Sequence, residues 1–303
     1  MKKPLFFTPI VTAFDQERNL DLEGNKHVID HVLNAGVDGI VVMGSTGEFF
    51  AMTDAQKKEL IELAINHVDH RAQVYVGTGC MSMQETIDLS NFALEKGADG
   101  VMIVSPYYFK LSKESLIHYY KSVASKVKGN ILIYNYPDLT GADVDAEVML
   151  EILKTEKNVI GCKDTVKEMG HTRELINIVN KAYPDFMIFS GYDDNLAHNI
   201  LSGGAGGIGG VSNLYPEIFV AWKDALIRKD YDMISICQKK VNRLTDFFTV
   251  GNPFISMVKY AMKLKGIQIE DYCTEPFLQA NEAEIEAIKA IIHDAESTDL
   301  YKA

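Results

Sequence analysis

Residues 158–165, Asn-Val-Ile-Gly-Cys-Lys-Asp-Thr, set a lysine directly behind an apolar run. Val159, Ile160, Gly161 and Cys162 read as a buried strand; Lys163 stands at its end, and Asp164 and Thr165 open a turn. An amine held in a dry pocket is disfavoured in its charged form, so its pKa falls. The neutral amine can attack a ketone and form a Schiff base, which makes Lys163 a candidate covalent catalyst. The alternative is a strand-end lysine facing solvent, the ordinary place for that residue. The octapeptide alone leaves both open.

The elements that would position this lysine repeat along the chain. Apolar runs at 6–11, 39–43, 73–77, 100–104, 130–134, 159–162, 186–190 and 206–211 read as strands, with helical patterns between them at a spacing of about thirty residues. Thr53 and Gln56 form a capping-box pattern at the start of one helix. Strands with little alternation are buried on both faces, as parallel sheets covered by helices require. Eight such units, with no glycine-rich dinucleotide turn after the first strand, predict an α/β fold of the (β/α)8 TIM-barrel type. The barrel is expected over residues 1–228. A C-terminal helical extension over 229–303 is expected to pack on it, with helices at 231–250, 254–265 and 281–293.

In such a barrel chemistry collects where the strands end. Those ends carry Ser45-Thr46, Tyr107-Tyr108, Tyr134, Lys163, Tyr192-Asp193 and Gly209-Gly210. Gly44-Ser45-Thr46-Gly47 is either a tight turn or a set of amides and hydroxyls that grips a carboxylate. Tyr134 is either a packed strand tyrosine or a proton relay beside the amine. The glycine-rich 203–210 segment lacks a following basic residue, which favours close backbone approach over a phosphate site. His27 and His31 share helical spacing but lack the glutamate of a zinc motif, and neither they nor His67 and His70 have a third ligand in view. No metal is expected.

Composition narrows the partners. The 303 residues are 47% hydrophobic and 24% charged, which is ordinary globular composition. The net charge of −12 argues against nucleic acid. No apolar run reaches membrane-spanning length, and Met1-Lys2-Lys3 leads into a strand-like run without the pattern of a signal peptide. Cys80, Cys162, Cys237 and Cys273 lie far apart, as reduced residues of a cytoplasmic protein would.

Gly44-Ser45-Thr46-Gly47-Glu48, Tyr134-Asn135-x-Pro137, Gly161-x-Lys163 and Gly191-Tyr192-Asp193 together resemble the dihydrodipicolinate synthase/N-acetylneuraminate lyase superfamily, over about residues 4–300. The resemblance implies a pyruvate-dependent class I aldolase or lyase, usually a homotetramer, with no cofactor beyond a covalent imine on Lys163. It implies that Lys163 bonds to the C2 carbonyl of pyruvate or of a 2-keto acid, that Ser45 and Thr46 hold the carboxylate, and that Tyr134 moves the proton. Tyr108 would complete the relay from a neighbouring subunit. Thr165, Gly191, Tyr192, Asp193 and Gly209 would surround the rest of the substrate. The small-molecule partners are then pyruvate and an aldehyde.

The departures select a branch. Dihydrodipicolinate synthases carry an arginine two residues after the proline of Tyr-Asn-x-Pro; here the residue is Leu139, which cannot pair a carboxylate. N-acetylneuraminate lyases typically have glutamate and serine where this chain has Asp194 and Gly210. The pattern looks most like the 2-keto-3-deoxygluconate and 2-dehydro-3-deoxy-pentonate aldolases. N-acetylneuraminate lyase, dihydrodipicolinate synthase, a sugar-acid dehydratase and a non-catalytic keto-acid sensor stay as alternatives.

Overall fold

Runs such as Gly39–Val42 and Gly100–Val104 have no polar side to offer water. In the computed structural model, which describes residues 3–251 and 253–297, they are buried throughout. The strands are β1 (Leu5–Pro9), β2 (Gly39–Val42), β3 (Gln73–Gly77), β4 (Gly100–Val104), β5 (Ile131–Asn135), β6 (Val159–Asp164), β7 (Met187–Ser190) and β8 (Gly206–Ile208). They pair in parallel in chain order, and β8 closes on β1. The fold is the expected (β/α)8 barrel. Helices Leu22–Asn34, Asp54–Val68, Met83–Lys96, Lys113–Ala124, Ala146–Leu153, Met169–Ala182, Leu196–Leu201 and Pro216–Arg228 lie between and after the strands. Asp21, Thr53, Ser82, Ser112 and Asp145 cap five of them through their side chains, so the loops leading from the strands have defined ends.

Three elements differ from the sequence reading. The last strand stops at Ile208 rather than residue 211, because the Gly210 and Val211 amides turn to the Asp193 carboxylate at 3.2 and 3.1 Å instead of to a neighbouring strand. The helix read over 231–250 is broken into Tyr231–Leu244 and Phe247–Val250. At the break the Thr245 hydroxyl bonds back to the Asn242 carbonyl, in competition with the helical ladder. A one-turn helix, Pro137–Thr140, follows β5 and was not expected; its proline occupies the first position, where a missing N–H costs nothing.

The C-terminal helices include Ile255–Leu264 and Glu282–Glu296; the last six residues of the expected extension, 298–303, lie outside the described residues, as do Met1 and Lys2 of the leader reading. The extension reaches the loop after β2 through one completely buried lysine. Lys259 pairs with Glu48, donates to the Tyr272 carbonyl at 2.8 Å and lies 4.7 Å from the centre of the Phe14 ring. The other oxygen of Glu48 accepts from the Thr274 amide and hydroxyl, both at 2.7 Å. Glu48 itself is left-handed, with φ 60°, a conformation a glutamate keeps only when its surroundings hold it there.

A buried pair satisfied in this way tolerates the loss of both charges better than the loss of one. K259M should therefore cost about 3–5 kcal/mol of unfolding free energy in urea, and the E48Q/K259M double variant should cost less. A K259M protein within about 1 kcal/mol of the parent would contradict this reading of the pair.

Candidate active site

A break in strand pairing sets the geometry of the site. Ile131 faces Val159, but Leu132 faces Gly161, so Ile160 is an extra residue in β6. Without it Tyr134 would pair with Cys162; with it Tyr134 pairs with Lys163. One inserted residue exchanges the two faces of a strand, so the irregularity decides which side chain turns into the barrel mouth. Gly161 makes the crowded bend possible: a Cβ there would stand 2.5 Å from the Met187 carbonyl oxygen.

Lys163 is 4% exposed, and its Nζ lies 4.4 Å from the centre of the Tyr134 ring. Burial lowers its pKa to about 8, opposed by the Asp193 charge. At pH 7 about a tenth of such an amine is neutral, against well under a thousandth of an ordinary lysine. Tyr134 is also buried, and burial raises its phenol to about 12. Its hydroxyl lies 3.3 Å from Ser45 Oγ. Ser45 and Thr165 both act on it as favourable dipoles. Ser45 makes the hydrogen bond to it, and the buried Thr165 Oγ1 has no hydrogen-bond partner among the described residues.

The loop after β2 brings up the remaining hydroxyls. Ser45–Gly47 forms a 3-10 turn, braced by the Thr12 hydroxyl on the Gly47 carbonyl at 2.8 Å. Thr46 is buried and faces Gly210, where a Cβ would come within 3.3 Å of its Oγ1. Gly191 and Gly209 leave room for neighbours: a Cβ at Gly191 would stand 1.8 Å from Thr165 Oγ1, and one at Gly209 would stand 2.3 Å from Asp193 Oδ1. Asp193 is 2% exposed; burial raises its pKa to about 7, while the Val211 amide and Lys163 draw it down. Toward the rim, Tyr136 stacks on Tyr134 at 5.9 Å, Tyr192 meets Tyr136 edge-on at 6.5 Å, and the Tyr192 hydroxyl donates to Asp138 at 3.5 Å.

Lys163, Tyr134, Ser45, Thr46, Thr165, Gly191, Tyr192, Asp193 and Gly209 thus come from the C-terminal ends of β2, β5, β6, β7 and β8. Tyr108 stands apart, 79% exposed, with its ring 5.0 Å from Phe109. The sequence reading does not single out Tyr136 and Asp138 at the rim, or Glu48 as the anchor of the hydroxyl loop. The aromatic density of Tyr134-Asn135-Tyr136 was the available signal for the first; the partner of Glu48 lies more than two hundred residues away. A larger cavity, about 610 Å³, opens at the opposite end of the barrel beside Leu5, Met187 and Ala205, so size does not mark this site. Among the described residues no group of three or more His, Cys, Asp or Glu is arranged to hold a metal, and no helix is long and apolar enough to cross a membrane.

The model of the dihydrodipicolinate synthetase family matches residues 4–295. The chain is 36% identical over 274 residues to YjhH of Escherichia coli (strain K12), provisionally a 2-dehydro-3-deoxy-D-pentonate aldolase, covering 90% of this chain and 91% of that one. It is 33% identical over 288 residues to YagE of the same organism, provisionally a 2-dehydro-3-deoxy-D-gluconate aldolase, covering 94% of each. A 4-hydroxy-tetrahydrodipicolinate synthase of Kosmotoga olearia is 33% identical over 286 residues, covering 94% of this chain and 96% of the other. The crystal structure of YagE in complex with pyruvate superposes with a TM-score of 0.94 at 32% identity, over 98% of this chain and 99% of that one.

The lowered lysine has a consequence for stability. A base with a folded pKa near 8 and an unfolded one near 10.5 penalises folding below pH 8, and the penalty fades as pH rises to about 10.5. K163M should therefore be more stable than the parent at pH 7, by up to about 3 kcal/mol, with the gain gone near pH 10.5. Denaturant unfolding at the two pH values measures this; a K163M protein no more stable at pH 7 would contradict the buried charge.

Proposed function

Because the chain belongs to the dihydrodipicolinate synthetase family, we propose that this lyase cleaves a 2-keto-3-deoxy sugar acid to pyruvate and a short hydroxyaldehyde through a Schiff base on Lys163. The observation that carries the reading is the buried Lys163 amine beside the Tyr134 phenol, itself hydrogen-bonded to Ser45.

Neutral Lys163 attacks the C2 carbonyl, and the Tyr134 phenol gives its proton to the departing hydroxyl, which leaves as water with a protonated imine and a Tyr134 phenolate behind. The Tyr134 phenolate left by that step accepts the proton of the C4 hydroxyl as the C3–C4 bond breaks. The electron pair of that bond moves into the imine, leaving a neutral enamine on Lys163 and releasing the aldehyde. Protonation at C3 and hydrolysis then release pyruvate and restore the amine. No cofactor enters. Ser45 and Thr46, with the amides of their turn, hold the carboxylate and fix the reacting atoms in line. Thr165, whose buried hydroxyl has no hydrogen-bond partner among the described residues, supplies a free hydrogen-bonding group to the substrate, and Tyr192 and Asp193 make further contacts to its hydroxyls. Gly191 and Gly209 let the Thr165 and Asp193 side chains pack close beside them.

The rim favours an uncharged aldehyde. Leu139 is 60% exposed on the one-turn helix, and Asp138 beside it is also exposed. Neither can pair a substrate carboxylate at that position, and Asp138 would repel one. Tyr108 and Phe109 form an exposed aromatic pair, consistent with Tyr108 reaching the site of a neighbouring subunit in a homotetramer. The free cysteines are in keeping with work in the cytoplasm.

Pyruvate release from ketodeoxygluconate, ketodeoxypentonates and sialic acid, together with condensation of pyruvate and aspartate semialdehyde, tests the substrate. A ketodeoxy sugar acid should give the highest kcat/KM, and Y134F should lower kcat roughly 10²- to 10⁴-fold. A preference for sialic acid or for aspartate semialdehyde would overturn the assignment.

A further inference from the structure

Behind the Tyr134–Lys163 rung lies a charged network that the chemistry does not touch. The next rung pairs Asn135 with Asp164, and with the strand period of two these side chains turn away from the mouth toward the helices. Asn135 Nδ2 donates to Asp164 Oδ1 at 3.0 Å and to Asp143 Oδ1 at 2.9 Å, and its Oδ1 accepts from the Val144 amide at 2.9 Å. His171, in the first turn of helix Met169–Ala182, stands across the two aspartates. Its Nδ1 lies 3.0 Å from Asp164 Oδ2 and its Nε2 lies 3.1 Å from Asp143 Oδ2. Thr172 donates to Asp164 Oδ2 at 2.6 Å. Carboxylates only accept, so both ring nitrogens donate and the ring is an imidazolium.

We propose that His171 is a positioning residue for the Schiff-base chemistry, an inference that rests on the reading of Lys163 above. By drawing Asp164 and Asp143 together it fixes the ends of β5 and β6, and with them the approach of Tyr134 to Lys163. It also anchors the 137–144 loop, which carries the rim residues Asp138 and Leu139. The two neighbours of the reacting pair, Asn135 and Asp164, have no other means in this network of being held to helix Met169–Ala182 than His171 and Thr172. Small displacements suffice to matter, since an error of about 1 Å in such a pair can cost a hundredfold in rate.

The hydrogen bonds to Asp143 and Asp164 raise the pKa of His171 to about 10, so the bridge is charged through the neutral range. The charged groups facing it are those two aspartates, with Lys113 acting on Asp143 from helix Lys113–Ala124. Since the folded pKa exceeds the ordinary 6.5, the bridge contributes fully near pH 6.5, where the aspartates are still ionised, and is lost as pH rises through about 10.

The test uses pyruvate alone, in the full chain. Borohydride trapping on the parent protein should place the reduced adduct on Lys163; no adduct there would overturn the Schiff-base reading itself. Given the adduct, NMR follows exchange of the pyruvate methyl protons in deuterated water against pH and pyruvate concentration. The parent rate should fall above about pH 10. H171Q should exchange roughly 10- to 100-fold more slowly at pH 8, with half-saturation by pyruvate within about threefold, and should lack the fall near pH 10. D143N, which removes one of the two carboxylates, should move that fall about a unit or more toward lower pH. H171Q matching the parent in rate and pH profile, or D143N leaving the alkaline fall unmoved, would overturn the positioning role while leaving the imine intact. If H171Q does not fold, the D143N profile alone decides.

Discussion

Taking the charge of Lys163 out of water is the unfavourable step that the rest of the site is arranged around. Burial brings the amine to about 8, and the only opposing influence of note is Asp193. That carboxylate is itself held near 7 by burial and is engaged by two backbone amides, so it does not neutralise the lysine. The fold accepts a less favourable core at this point and in return holds an amine that is partly neutral at neutral pH. Tyr134, pushed the other way to about 12, keeps its proton. Two groups whose environments drive their pKa values apart are the expected arrangement for a base and an acid acting on one substrate.

Geometry then has to hold that pair together, and three separate devices converge on it. The extra residue in β6 brings Lys163, in place of Cys162, opposite Tyr134. The Glu48–Lys259 pair ties the hydroxyl loop to the C-terminal helices, so those helices bear on the site from outside the barrel. Glycines at 191 and 209 let Thr165 and Asp193 pack where any side chain would collide. None of these groups needs to touch a substrate. In the proposed function each fixes one that does, as a site that works by orientation requires.

Much of this was legible in the sequence, for reasons that are local. Unalternating strands at a regular spacing identify a barrel because burial on both faces leaves no other pattern. The convergence of Ser45, Tyr134, Lys163 and Asp193 on one mouth follows from that fold alone. The family resemblance was borne out by the match over residues 4–295. What escaped was non-local. The end of β8 depends on Asp193 capturing amides from Gly210 and Val211, and no window around residue 208 contains that fact. The partner of Glu48 comes from the far end of the chain. The register shift in β6 depends on how it lies against β5 and β7, which periodicity does not encode.

The central claim is that Lys163 is an amine of lowered pKa in the resting protein. Titration of its Nζ in isotopically labelled protein, followed by NMR and assigned by comparison with K163M, measures this without any substrate. A midpoint near pH 8 is the predicted result. A midpoint at about 10 or above, the range of a solvated lysine, would contradict the account.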